Sequence, residues 1–295
     1  TKRAAVQKYF IPDKTQMFLI SDISQSGDVS IAWPKTKDGE SERTQLTEVV
    51  RNSQRIVVGA AAFQLGENKM ETKSFHEAPG PPLKSYIFEP PGLSDEEHKV
   101  ALHGLYVERA TKALSDVMTD FPNLSLDDRL AFIVKDWEMV KRLRPLLEEA
   151  LSLKFPTRSF KLVDADTASS RVDRRSYADE EWLVLDEMAN FDGLERLIVL
   201  CIGLDSEIEH PNSNVRETRS LLYRAFTRAH MIVAVINEKI PGGFLEFLTT
   251  CRLEKTEKFD QEKEKKQVNY DAVDKAISSA FEKIMEKKQL HKDAI

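Results

Sequence analysis

The sequence predicts an α/β fold built on a mostly parallel sheet. Three observations predict it. Short apolar runs recur at residues 17–23, 127–134, 182–185, 197–202 and 231–236, and those at 182–185 and 197–202 are apolar almost throughout, as strands covered on both faces should read. Segments with helical apolar spacing lie at 46–63, 137–153 and 217–229, with hydrophobic residues returning every three or four positions. Strands and helices alternate, which is the pattern of parallel strands joined by helical crossovers.

The elements follow in order. MFLISDI at 17–23 reads as a short buried strand ending in polar residues, followed by a Gly-, Lys- and Asp-rich loop at 27–42. Residues 46–63 carry Leu46, Val49, Val50, Ile56, Val57 and Ala60 at helical spacing, and Gly66 stands where it can help stop that helix. Residues 77–92 hold Pro79, Pro81, Pro82, Pro90 and Pro91, which reads as a linker or long surface loop. Ser94 to Glu97 forms a capping-box pattern that opens a helix running to about Met118. DDRLAFIV at 127–134 is a strand. Residues 137–153 form a helix with its apolar stripe at Val140, Leu143, Leu147 and Leu151. Residues 160–163 form a short strand, and 169–181 a charged loop. Strands at 182–185 and 197–202, a helix at 217–229 and a strand at 231–236 complete the alternation.

The end of the chain differs. Residues 254–266 mix acidic and basic residues with almost nothing to bury. From 268 to 288 a stripe returns at Val273, Ile277, Ala280 and Ile284, with Phe281 and Met285 beside it. This is an amphipathic helix, and it needs a partner surface, either its own domain or a second protein.

Composition bounds the function. The chain has 295 residues, 41% hydrophobic and 31% charged, enough for one large or two small folded units. A net charge of −6 provides no whole-protein basic footprint for nucleic acid, which leaves a local basic groove as the route to such a partner. The two cysteines show no metal spacing, and Cys201 lies inside an apolar run as a small buried hydrophobe. The histidines show no ligand spacing either, so no metal centre is expected. Trp33, Trp137 and Trp182 read as core or interface residues. No apolar run reaches the ~18 residues of a membrane span. The expected setting is intracellular, cytoplasmic or nuclear, in a reducing compartment.

Four segments carry the chemistry. LISDISQS at 19–26 ends an apolar strand with Asp22 and Gln25. A neutral amide such as Gln25 suits a contact to a phosphate oxygen or an attacking water. LTEVVRNSQRI at 46–56 places Arg51 at a helix start, and a guanidinium fork matches phosphate oxygens. NFDGLERLIVLCIGLD at 190–205 places Gly193 and Glu195 just before a buried strand, and Gly193 permits a tight backbone. RSLLYRAFTRAH at 219–230 begins 24 residues after Glu195 and ends a helix on Arg228.

In order and character these segments resemble motifs III, IV, V and VI of superfamily 1 DNA/RNA helicase-like NTPases, the C-terminal half of a UvrD/Rep-like motor. The FDGLER form is closer to the helicase-like half of Schlafen-type proteins. The resemblance covers roughly residues 17–65 and 126–237. It implies a RecA-like P-loop NTPase lobe with a mostly parallel sheet, followed by the C-terminal amphipathic helix. It assigns Gln25, Arg51 and Arg228 to the γ-phosphate, Arg228 as an arginine finger. Glu195 falls at the nucleotide ribose, with Gly193 and Asp22 also at the nucleotide. The sequence departs from the pattern at Ser21, at Val50 where the family often has an adenine-stacking aromatic, at Asp192 in place of lysine, and at Arg224 in place of valine.

The chain contains no G-x-x-x-x-G-K-[ST] loop to cradle phosphates and no apolar strand ending in Asp-Glu before residue 19. The resemblance then implies that ATP and Mg²⁺ are bound mainly by an N-terminal RecA-like lobe outside this sequence. This chain alone is expected to be inactive as an ATPase. The expected division is the tail of the first lobe at 1–76, a linker and helix at 77–125, the second lobe at 126–250 and a charged helical extension at 251–295. The implied function is coupling of ATP hydrolysis to translocation or remodelling of DNA or RNA. The alternative is an inactive helicase-like module acting as a protein- or RNA-binding switch. No membrane partner is expected, and a protein partner has the 268–288 helix available.

Overall fold

The computed structural model describes residues 46, 48–65, 72–90, 95–171, 180–191, 193–206, 215–241, 243–245 and 259–267. The expected strand at 17–23, with Asp22 and Gln25, and the helix expected at 268–288 lie outside these residues.

A six-stranded sheet forms the centre. Its strands are β3 (Lys84–Phe88), β4 (Leu130–Val134), β5 (Phe160–Val163), β6 (Glu181–Glu187), β7 (Arg196–Ile202) and β8 (Ala229–Glu238), in the spatial order β3-β8-β7-β4-β6-β5. Every neighbouring pair is parallel. This is the predicted α/β class with a parallel sheet. All five residues of β4 are buried, and β7 and β8 are buried along most of their length. Their continuous Val, Ile and Leu content is the consequence of helices on both faces.

The crossovers sort the helices by face. α2 (Asp95–Asp120) and α3 (Trp137–Lys154) pack on one side through Val107, Leu114, Leu143 and Leu147. α1 (Gln54–Ala61), α4 (Ala165–Ser169) and α5 (Val215–Thr227) cover the other side through Ile56, Phe63, Leu222 and Phe226. The stripe expected on α3 is the buried one: Val140, Leu143, Leu147 and Leu151. Asp136 starts this helix by accepting the Met139 N–H at 2.9 Å. Cys201 is buried, and burial pushes its thiol pKa up, as befits an inert core residue.

Three expectations need correction. First, the helix expected across 46–63 occupies only Gln54–Ala61. Upstream, β1 (Glu48–Val49) pairs in parallel with β2 (Lys73–Ser74), which holds the backbone extended, and Leu46 and Val50 are 84% and 72% exposed. The helix starts late for a second reason. Its first N–H groups are taken from outside, Ser53 by the His230 carbonyl at 2.9 Å and Arg55 by the Pro79 carbonyl at 3.0 Å.

Second, the Pro-rich stretch 77–92 is not only loop. KSYIF between its prolines forms β3, which pairs along β8 from Lys84↔Ala234 to Phe88↔Glu238. Pro81 and Pro82 precede the strand and Pro90 follows it, so none removes a ladder donor. Third, of the two alternatives for Trp137, core or interface, the core one fails: it is 47% exposed at the start of α3. The Lys141 ammonium lies 5.7 Å from its ring centre.

The charged C-terminal stretch also buries more than its composition suggests. In α6 (Gln261–Gln267) the Gln261 side-chain amide imitates a neighbouring strand, accepting from Ser74 N–H at 3.0 Å and donating to the Ser74 carbonyl at 3.1 Å. Lys265 is buried, its ammonium donates to the Thr72 carbonyl, and burial pulls its pKa down. Phe259 packs under the Arg55 guanidinium at 4.7 Å. Among the described residues no helix is long and apolar enough to cross a membrane.

Two carboxylates make the fold sensitive to acid. Asp164 caps α4, and the hydrogen bond from Thr167 N–H at 2.6 Å holds its carboxyl below the usual aspartate range. At Asp127 burial pushes upward, but Arg171 at 2.8 Å and the Trp182 N–H at 2.9 Å outweigh it, and its pKa is lowered too. A folded-state pKa below the unfolded value of about 3.9 contributes stability above that value, and the contribution is lost as pH falls through the folded pKa. Asp164→Asn keeps a capping oxygen and removes the charge. Its urea midpoint should therefore fall less than that of the parent chain between about pH 5 and about pH 2.5. An equally steep acid fall in the variant would contradict this assignment.

Candidate functional site

Of the sequence-marked residues, the four that are described, Arg51, Gly193, Glu195 and Arg228, gather near the beginnings of β7 and β8. Gly193 has φ +85°, a left-handed conformation that glycine adopts at little cost, and it turns the chain from the 3₁₀ segment Met188–Phe191 into β7. Glu195 follows immediately before the strand. α5 ends at Thr227, whose hydroxyl donates back to the Tyr223 or Arg224 carbonyl at 3.0 Å, and Arg228 occupies the step from helix to strand. Arg51 arrives from the opposite end of the sequence on the loop between β1 and α1.

These pieces are joined. Arg51 Nη1 forms an ion pair with Glu195 Oε1. The other carboxylate oxygen of Glu195 accepts from His230 Nε2 at 3.1 Å. The three side chains are partly open to solvent, at 40% for Arg51, 25% for Glu195 and 42% for His230. One residue of β7, Leu197, stands opposite two of β8 here, because Arg196 pairs with Ala229 and Ile198 with Ile232. That places a bulge on β8 at His230–Met231, a device that re-aims side chains at a strand end. Arg228 is 5% exposed, and its backbone carbonyl accepts from Arg196 N–H at 2.9 Å.

A buried layer supports the open one. Asn52 is 1% exposed, and its Nδ2 donates to the Thr227 carbonyl at 3.1 Å and the Ala229 carbonyl at 2.5 Å. Ser53 N–H takes the His230 carbonyl. Arg196 Nη2 pairs with Asp128 Oδ1 at 2.7 Å, and Asp128 itself has φ 56°. Arg219 donates to the Gln64 carbonyl at 2.7 Å and so ties α5 to the end of α1. Sequence reading missed Asn52, His230 and the Arg196–Asp128 pair. Position gave a signal for three of them: Asn52 adjoins Arg51, Arg196 adjoins Glu195, and His230 lies two residues after Arg228, whereas nothing marked Asp128.

Chemically, the cluster is a cation–carboxylate–imidazole set whose charges compensate internally. An anion entering it would compete with Glu195 for Arg51. A ligand hydroxyl could donate to the carboxylate so released. Val50, beside Arg51, presents a small exposed apolar face and no aromatic ring.

A cavity of about 630 Å³ lies beside Trp137, Asp164, Asp166 and Asp186, near the carboxyl ends of β4, β5 and β6, and reaches Gly193 and Leu194 ahead of β7. Asp186 is fully used by the chain, accepting from Ala165 N–H, Glu187 N–H and Asn190 Nδ2 at 2.8–2.9 Å. Among the described residues, no lysine or arginine lines this cavity. Among the described residues, no group of three His, Cys, Asp or Glu side chains is arranged to hold a metal ion.

The C-terminal domain of a possible DNA helicase from Lactobacillus plantarum WCFS1 is similar at 16% identity and a TM-score of 0.39, over 64% of this chain and 87% of that one. No protein-family profile and no curated protein matches the chain.

Proposed function

We propose that this chain is the closing half of a superfamily 1 helicase-like NTPase. In this reading it presents Arg51 and Arg228 to the γ-phosphate, with Gln25, and Glu195 to the ribose, of ATP held with Mg²⁺ by a separate N-terminal RecA-like lobe. The observation that supports the reading most is the meeting of Arg51 with Glu195 across a separation of 144 residues. The sequence marks both as nucleotide contacts, and Asn52, next to Arg51, bonds the carbonyls on either side of Arg228.

The chain's own residues then have distinct tasks. Arg51 leaves Glu195 for a phosphate oxygen, because a guanidinium fork serves either anion. Glu195, still held by His230, accepts from a ribose hydroxyl. Arg228 stabilises charge on the transferring phosphoryl group. Closing and opening of the lobes would couple this chemistry to movement along a nucleic-acid strand or to a partner surface.

One observation favours a second reading, an inactive helicase-like module that works as a binding switch. Arg228 is 5% exposed here, so its guanidinium must swing outward to reach a nucleotide. Binding to RNA with a steep salt slope would favour a nucleic-acid reader, and no binding a protein-facing switch.

The proposal makes a direct prediction for the chain by itself. With no phosphate-binding loop in the sequence, it should release phosphate from ATP no faster than buffer in a colorimetric assay. Turnover above that background that survives Arg228→Ala would reject the division of labour between two lobes.

A further inference from the structure

The turn that carries Arg228 is held by its carbonyls, and the holder is Asn52. Thr227 and Ala229, the residues flanking Arg228, both give their carbonyl oxygens to Asn52 Nδ2, at 3.1 and 2.5 Å. The Arg228 carbonyl accepts from Arg196 N–H at 2.9 Å and the His230 carbonyl from Ser53 N–H at 2.9 Å. Four consecutive carbonyls are therefore satisfied, three of them by residues 52 and 53. The requirement is chemically narrow. A neutral amide supplies two N–H donors from one nitrogen, whereas the isosteric carboxylate would set oxygen against oxygen.

Asn52 is itself braced. Its backbone carbonyl accepts from the Ser74 hydroxyl at 2.8 Å, and Ser74 is bridged through both backbone groups to Gln261 of α6. Its neighbour Arg51 is the one paired with Glu195.

We infer that Asn52 is a positioning residue: its side-chain amide locks the helix-to-strand turn bearing Arg228, so that the Arg51 loop and the Arg228 turn move as one unit. The inference rests on the reading of Arg228 as the finger for its functional meaning, and on geometry alone for the lock. The two can fail separately, because the lock can be read without nucleotide.

The test is native-state amide exchange on the 295-residue chain, with Asn52→Ala and Asn52→Asp. Three amides report on the turn: Ser53, Arg196 and Arg228, the last bonded to the Ala225 carbonyl at 3.2 Å. Loss of two buried donor contacts should accelerate their exchange by about tenfold or more. Val140 in α3, bonded to the Asp136 carbonyl, should keep its rate. The Arg228 Nε–H resonance should shift or broaden in both variants, a change that general loosening of the core would not single out. Should Asn52→Ala fail to fold, Ser74→Ala releases the brace, together with the His76 N–H bond to the same hydroxyl, and reads the same three amides at a smaller factor. Unchanged rates at Ser53, Arg196 and Arg228, or an equal acceleration at Val140, would overturn the lock.

Discussion

Arg228→Ala, placed in a protein that joins this chain to an ATP-binding lobe, is expected to lower kcat by about 10³–10⁵ with KM for ATP little changed. The size follows from what a finger does. It meets charge that develops only as the phosphoryl group transfers, so its loss appears in the chemical step and not in ground-state binding. Arg228→Lys should recover a part of the rate, because it restores charge without the planar fork. Arg228 is also buried, so truncation carries some structural cost. A urea melt of the same variant separates the two effects, since a folded protein with depressed kcat points to chemistry. Unchanged turnover in the folded variant would reject the finger and leave the switch reading in its place.

Legibility in the sequence followed the range of the interactions. The Val140–Leu143–Leu147–Leu151 stripe repeats within one helix, and it is the stripe that packs on the sheet. The apolar runs of β4, β7 and β8 announced strands covered on two faces, because burial on both sides leaves no polar alternation. β3 was hidden by its prolines, which mark loops in general but here only bracket a five-residue edge strand. β1 was misread because Leu46 and Val50 match a helical period while facing solvent. A two-residue parallel pairing leaves no periodic trace at all. In the candidate site, Arg51, Glu195 and Arg228 were visible as residue types suited to phosphate and ribose. Asn52 was not, because its meaning depends on carbonyls 175 and 177 residues away. A buried amide looks the same in sequence as an exposed one. What distinguishes it is the unpaired backbone it answers, and that exists only once α5 and β8 are in place.

Phe226→Ala should cost about 3–5 kcal/mol of unfolding free energy, read as a lower urea midpoint. Phe226 is fully buried, and its ring meets Phe63 edge-on at 5.3 Å between centroids with a 73° interplanar angle. That pair joins α5 to the residues just beyond α1, beside the Arg219 to Gln64 bond. Removing one ring opens a cavity and also loses the edge-to-face contact. The consequence extends to the site. The Arg51–Asn52 loop reaches the Arg228 turn because α1 is seated on α5, so a loosened seat should also speed exchange at Ser53 N–H. The expected signature is thus a global loss of stability with an additional local loss at that amide. Phe226→Leu, which refills much of the volume, should recover more than half of the midpoint shift. A Phe226→Ala unfolding free energy within about 0.5 kcal/mol of the parent would mean that the seat of α1 on α5 is held elsewhere. The Asn52 bonds would then be the principal tie between the two segments.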